Sequence, residues 1–177
     1  YGDGGALFTD DDDLAAVVRS IRNHGQGRDR YENVRLGLNS RLDSLQAAIL
    51  LEKLRIFPDE IEARDRIAAR YGTNLPACVR AQKIALGARS VWAQYTVLVE
   101  NRDSVREYLA ARGIPTAVYY PRPNHLQPPY VCARRAPGGL PVTEYLQSRV
   151  LSLPMHPYLD EATQDRVLTA LNEAVTG

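Results

Sequence analysis

Asn39, Ser40, Arg41 and Asp43 place four polar side chains in five positions, directly before an apolar helical run. Amides and a guanidinium at a helix start can hold an anion, because the first-turn N–H groups are unpaired and the helix dipole favours negative charge. On chemistry alone the same residues read more readily as a capped helix with a solvated arginine, Asp43 or Ser40 accepting from the first-turn amides, because caps are far commoner than ligand sites. A second group follows at Tyr119, Tyr120, Asn124, His125 and Gln127, set among Pro121, Pro123 and Pro128. Phenols, amides and an imidazole on a proline-stiffened loop suit hydrogen bonding to a sugar or a phosphate. They suit a plain surface loop with half-buried tyrosines as well.

Other chemistry has little support. Cys78 and Cys132 are far apart, and His24, His125 and His156 fit no metal-ligand spacing. Asp10 to Asp13 read as a dipole-matched helix start rather than a metal site. His24 reads as a helix-end charge and His156 as a packing residue in a proline-set turn. Charge is nearly balanced, 22 basic residues against 21 acidic, which disfavours a nucleic-acid or anionic-membrane partner. Twenty of the basic residues are arginine, so Lys53 and Lys83 are the two places for a Schiff-base lysine. Two unpaired cysteines fit a reducing cytoplasm. No apolar run reaches transmembrane length and no signal peptide is visible.

The elements that must position these groups can be read from periodicity. Tyr1 to Thr9 reads as a tight turn and a short strand. Thr9 and Asp10 are expected to cap a helix with Leu14, Val17, Val18 and Ile21 at i, i+3, i+4, i+7, stopped at Gly25. Gly25 to Leu38 is a polar arm, long for a connection inside a compact domain and therefore functional or flexible. A long helix is expected from about Leu42 to about Asn74, burying a stripe of Leu38, Leu42, Leu45 and Ile49. Pro58 should end or kink it at Phe57. Beyond it come strands at Val79–Ala85 and Val91–Val99, an Asn101-capped helix stopped at Gly113, and a third strand at Ile114–Tyr120. The proline loop, a helix at Val142–Val150, a strand at Leu151–Pro154 and an Asp160-capped helix complete the chain. This is an α/β pattern, a sheet covered by helices.

The order of residues adds more. Gly37-Leu38-Asn39-Ser40-Arg41-Leu42-Asp43-Ser44-Leu45-Gln46-Ala47-Ala48 closely resembles the Gly-x-Asn-x-Arg-hydrophobic-x-x-hydrophobic-Gln-Ala-Ala signature of the DegT/DnrJ/EryC1/StrS family. Those are pyridoxal-phosphate (PLP) enzymes of sugar-nucleotide metabolism, mostly aminotransferases. Tyr119 to Pro128 resembles the family's His-Tyr-Pro-x-Pro-hydrophobic-His-x-Gln-Pro, with tyrosine in place of the first histidine. A phenol hydrogen-bonds but does not titrate near neutrality, so an acid/base role of that histidine does not carry over to Tyr119. Ser152-Leu-Pro-Met-His-Pro157 resembles a third family motif. The wording is similar to the branch that aminates UDP-linked 3-keto-hexuluronates in bacterial surface-polysaccharide synthesis, including lipopolysaccharide.

The resemblance implies the C-terminal portion of a fold-type I aminotransferase. Residues 1–41 would be a remnant of the large PLP-binding domain, 42–75 a long kinked interdomain helix, and 76–177 a small α/β domain. It implies a cytoplasmic homodimer with active sites shared across the interface, glutamate as amino donor and a nucleotide-linked ketosugar as acceptor. Asn39 would reach the partner's PLP phosphate. Arg41, Tyr119, Tyr120 and His125 would face the substrate, and the arm after Gly25 would lie near the subunit interface. The PLP lysine would lie a few residues upstream of Tyr1. The chain opens with Tyr1 and its one methionine is Met155, so a fragment, inactive on its own, is expected. Two rivals stand beside this reading: a sugar dehydratase of the same family, with histidine at the upstream position, and a freestanding, non-enzymatic α/β binding or dimerisation module.

Overall fold

The structure is a computed structural model that describes residues 4–29 and 31–177. Tyr1 to Asp3 of the expected turn, and Arg30 of the polar arm, lie outside the described residues. The elements in order are α1 (Asp12–Arg22), α2 (Ser44–Asn74), β1 (Arg80–Ala81), β2 (Tyr95–Leu98), α3 (Arg102–Ala111), α4 (Pro141–Gln147), β3 (Val150–Leu153) and α5 (Glu161–Thr176). Two short 3-10 turns, Asn124–Leu126 and Pro128–Tyr130, lie in the proline loop. The chain divides into two compact units, Tyr1–Phe57 and Pro58–Gly177.

In the first unit, α1 starts at Asp11, not Asp10. The Asp11 carboxylate accepts from the Leu14 amide at 2.9 Å, while the Asp11 amide donates to Thr9 Oγ1. Residues 4–9 form no strand; a strand needs a neighbouring ladder, and no described segment offers one here. The arm after α1 is an ordered fold-back. Bridges join Gln26 to Asn33 and Asn23 to Asn39. Leu38 N–H donates to Ile21 at 2.7 Å, His24 N–H to Leu38 at 2.9 Å, and Ser40 N–H to Arg22 at 2.9 Å. Two glycines allow this approach. A Cβ on Gly37 would sit 1.9 Å from the Gly25 nitrogen, and one on Gly25, at φ +75, would sit 1.8 Å from the Arg35 oxygen.

The expected stripe on the long helix is not buried. Leu38, Leu42 and Leu45 are exposed and Ile49 is intermediate. Helical spacing selects a face, but burial needs something packed on it. Nor does Pro58 end α2, which runs through it to Asn74. A proline removes the one ladder bond to residue 54, and the flanking bonds of a 31-residue helix carry on. The division between the two units falls at this proline.

The second unit holds a three-stranded antiparallel sheet, ordered β1-β2-β3, with Val97 opposite both Ala81 and Leu151. Tyr95, Val97 and Val99 are buried, as their alternation predicts, while Thr96 and Leu98 are intermediate. The expected strands are longer than those found. Trp92 takes a left-handed φ of 48°, which ends an extended run. Asp65 on α2 fastens that residue instead, accepting from Trp92 Nε1 at 2.9 Å and from Arg89 Nη2 at 2.6 Å. Ile114–Tyr120 contributes one bridge, Ala117 to Ser152, rather than a third strand. Asn101 precedes α3 in a left-handed conformation and its side chain makes no cap. Val150 belongs to β3, not to the helix before it, which stops at Gln147.

The core is built from α2, the sheet, α3 and α5: Ile67, Tyr71, Val97, Leu109, Leu151, Val167 and Leu171 are buried there. Tyr71 and Tyr95 have ring centroids 5.0 Å apart, and the Tyr71 hydroxyl donates to the Pro154 carbonyl at 3.1 Å. Burial, and then the neighbouring Tyr95, pushes the Tyr71 phenol well above its ordinary value; burial also raises Tyr95. Gln164, the buried polar residue of α5, donates from Nε2 to the Ile67 carbonyl at 3.0 Å. The Asp160 carboxylate caps α5 by accepting from Thr163 N–H at 2.7 Å.

Candidate functional site

The two groups of chemistry-bearing residues lie in different units. In the first, Asn39 and Arg41 flank Ser40 between the folded-back arm and α2. Asn39 is exposed and held by its bridge to Asn23. Arg41 Nη1 donates to Asn23 Oδ1 at 2.9 Å, and the Asn23 amide in turn donates to Gln26 Oε1. Asn23 thus ties the end of α1 to the guanidinium, a link across 18 positions that the sequence pattern did not reveal. The start of α2 uses half of a capping box: Asp43 N–H donates to Gln46 Oε1 at 3.2 Å. Arginine carries five donors, so one bond to Asn23 leaves Arg41 able to take a carboxylate or phosphate.

In the second unit the proline loop and α4 form the walls of an open cleft of about 1080 Å³. Tyr119, Tyr120 and His125 are brought together here, with Arg122, Asn124 and Gln127. Tyr119 and Tyr120 are joined by a cis peptide bond, and their rings meet edge to face with centroids 5.6 Å apart. Both phenols are exposed, Tyr120 the more so. The 3-10 turns are closed by Leu126 N–H to Pro123 and Tyr130 N–H to Gln127. With Pro123 and Pro128 fixing φ, they hold the loop without sheet or helix.

His125 is anchored twice. Its Nε2 lies 2.9 Å from Glu144 Oε1 on α4, and its carbonyl accepts from Arg135 Nη2 at 3.1 Å. The second wall was missed by the sequence reading. Thr143, Leu146 and Gln147 of α4 line the cleft, with Leu140 just before that helix and Val150 of β3 just after it; the i, i+3, i+4 spacing of the three α4 residues was a usable signal. The Glu144 contact, 19 positions from His125, had none. Lys83 does not line this cleft, and His24 lies at the left-handed exit of α1.

With this geometry in view, relatives can be compared. The sequence profile of the DegT/DnrJ/EryC1/StrS aminotransferase family matches residues 1–172. The chain belongs to that family. A UDP-2-acetamido-2-deoxy-3-oxo-D-glucuronate aminotransferase of Pseudomonas aeruginosa is 51% identical over 172 residues, covering 97% of this chain and 47% of the relative. A DegT/DnrJ/EryC1/StrS aminotransferase from Brucella abortus has a crystal structure that superposes with a TM-score of 0.91 at 54% identity. It covers all of this chain and 48% of that one. NtdA from Bacillus subtilis, solved with bound cofactor PMP, superposes with a TM-score of 0.78 at 30% identity, over 96% of this chain and 41% of NtdA. The chain therefore spans about half the length of the relatives it matches. The resemblance read from the three motifs is borne out at the level of family and fold, and these relatives favour neither the dehydratase nor the freestanding module. Among the described residues no helix is long and apolar enough to cross a membrane.

Proposed function

We propose that this chain is the C-terminal portion of a PLP-dependent aminotransferase that moves an amino group from glutamate to a nucleotide-linked ketosugar. The observation that carries the reading is the 51% identity, over 97% of the chain, to an aminotransferase of a UDP-linked 3-oxo sugar acid. The finer substrate is a UDP-linked 3-keto-hexuluronate, made for bacterial surface polysaccharide such as lipopolysaccharide. Residues 1–41 belong to the large domain, 42–75 to the interdomain helix and 76–177 to the small domain. The enzyme works as a cytoplasmic homodimer. The exposed leucines of the first unit, among them Leu36 and Leu45, support an interface, since such side chains gain by leaving water.

The donor set fits the cofactor and substrate. PLP, when bound, supplies the electron sink for moving the amino group. Asn39 offers an exposed amide to the phosphate across the dimer interface. Arg41, steadied by Asn23, presents the rest of its guanidinium to a carboxylate or phosphate, a pairing that a bidentate fork suits. Tyr119, Tyr120 and His125 bind and orient sugar hydroxyls in the cleft. Neither Lys53 nor Lys83 belongs to either group of site residues, so the 177-residue chain by itself should not bind PLP covalently or transaminate. Visible absorbance of a lysine-bound cofactor in this chain, abolished by borohydride, would contradict that.

The deciding experiment reads the coding DNA upstream of Tyr1 and assays the longer protein with glutamate and a UDP-linked 3-keto sugar. A lysine in frame, with 2-oxoglutarate and an amino sugar formed together, is the expected result. A histidine there with loss of water from the sugar, or a start codon immediately upstream, overturns the reading.

A further inference from the structure

We infer that Glu144 is a positioning residue for His125, fixing which of its ring nitrogens is left for a ligand in the cleft. An ionised carboxylate accepts hydrogen bonds and donates none. With Glu144 Oε1 2.9 Å from Nε2, the ring proton sits on Nε2. Nδ1, with no hydrogen-bond partner among the described residues, is then the free lone pair of the neutral ring and accepts from a ligand hydroxyl. Three observations support a built arrangement rather than a chance surface pair.

First, the imidazole is largely buried, its side chain 9% exposed, whereas Glu144 is 48% exposed and reaches in from α4. The contact therefore orients a ring that solvent does not. Second, the backbone of His125 is held separately by Arg135 Nη2 on its carbonyl, so the ring is fixed at both ends. Third, Glu144 lies in the first turn of α4, where the helix dipole favours its carboxylate, and that helix supplies Thr143, Leu146 and Gln147 to the facing wall. The other charged or titratable side chains lining the cleft are Arg122, Tyr119, Tyr120 and Tyr130, and none of them is a carboxylate that could replace Glu144 as the acceptor of the ring proton. The contact thus couples the proline loop to α4 and sets the chemistry of the imidazole together. A histidine tied this way has its tautomer chosen by its partner, as happens wherever a second group engages one ring nitrogen.

The tautomer stands on geometry alone; the role of Nδ1 toward a sugar hydroxyl rests on the aminotransferase reading above. The test is nitrogen-15 NMR of the histidine rings in the intact 177-residue chain, with Glu144→Leu, which removes the acceptor, and Glu144→Gln, whose amide oxygen keeps it. The wild type should show a protonated Nε2 at His125 with an observable, slowly exchanging proton. That resonance should vanish in E144L and survive in E144Q, with the amide dispersion of the rest of the chain unchanged. A proton on Nδ1 in the wild type, or a resonance that persists in E144L, overturns the inference even if a variant folds poorly, because the wild-type spectrum decides the tautomer. In the longer enzyme, E144L should raise KM for the sugar by several-fold to about tenfold and leave kcat within about twofold, the pattern of lost uniform binding. Normal KM in E144L sinks the role of Nδ1, whereas absence of aminotransferase activity in the longer wild-type enzyme sinks the functional reading and leaves the NMR result standing.

Discussion

The two units use the same sequence device with opposite results. In α5, Val167, Leu168 and Leu171 recur at helical spacing and all are buried. In α1, Leu14, Val17, Val18 and Ile21 recur at the same spacing, and no residue of that helix is buried. The long helix repeats the contrast within itself, with Leu45 76% exposed and Tyr71 0% exposed. Periodicity states which face a helix would bury. Whether it buries that face depends on the sheet and helices that happen to lie against it, and within these residues only the second unit has them. The first unit is held instead by backbone: the Gly25–Gly37 approach and the bonds from Leu38, His24 and Ser40.

The largest test of that contrast is Leu171→Ala. Leu171 is fully buried, and truncation there should cost about 2–5 kcal/mol in urea unfolding, the transfer loss plus a cavity. Gly37→Ala probes the other unit. Its added Cβ would meet backbone at 1.9 Å, so the arm must give up bonds worth about 1 kcal/mol each. Hydrogen exchange at the amides of His24, Leu38 and Ser40 should accelerate by an order of magnitude or more, with protection in α5 unchanged. Loss of protection in both units would show that they unfold as one.

Gln164→Leu should cost about 1 kcal/mol, because a buried hydrogen bond is lost while the Ile67 carbonyl, inside α2, keeps its helical donor. Raising pH strains the same core. Tyr71 has its folded pKa raised above the unfolded value of about 10, so its contribution is complete below that pH and is lost as pH climbs above it. Tyr71→Phe should therefore flatten the alkaline fall in thermal stability. Asp160 has the opposite sign. Its hydrogen bonds to Thr163 hold its pKa below the usual carboxylate value, so its contribution is present above about pH 4 and fades as pH falls. Asp160→Ala should lower Tm near neutrality by a few degrees at most and have no effect in acid. The smallest effect expected is that of Leu45→Ala, within about 0.5 kcal/mol, because the side chain already faces solvent. A cost rivalling that of Leu171→Ala, and dependent on protein concentration, would mean that the first unit's apolar face is covered in solution.

The same physics sorts what was legible in the sequence. The stops at Gly25 and Gly113, the buried alternation of Tyr95, Val97 and Val99, and the Asp160 cap are local: each depends on a few neighbouring residues and on φ values that glycine tolerates. The grouping of Tyr119, Tyr120 and His125 was legible too, because prolines confine a short loop. The ordered residues of motif read as an enzyme family for a related reason, since the local backbone that presents Asn39 and Arg41 is written in consecutive positions. What tertiary structure decided is everything that joins distant positions. The tie of Asn23 to Arg41, the hold of Asp65 on Trp92, the contact of Glu144 with His125 and the fate of each apolar face were set by packing. A linear pattern records which groups a residue could satisfy, and the three-dimensional fold chooses the partner.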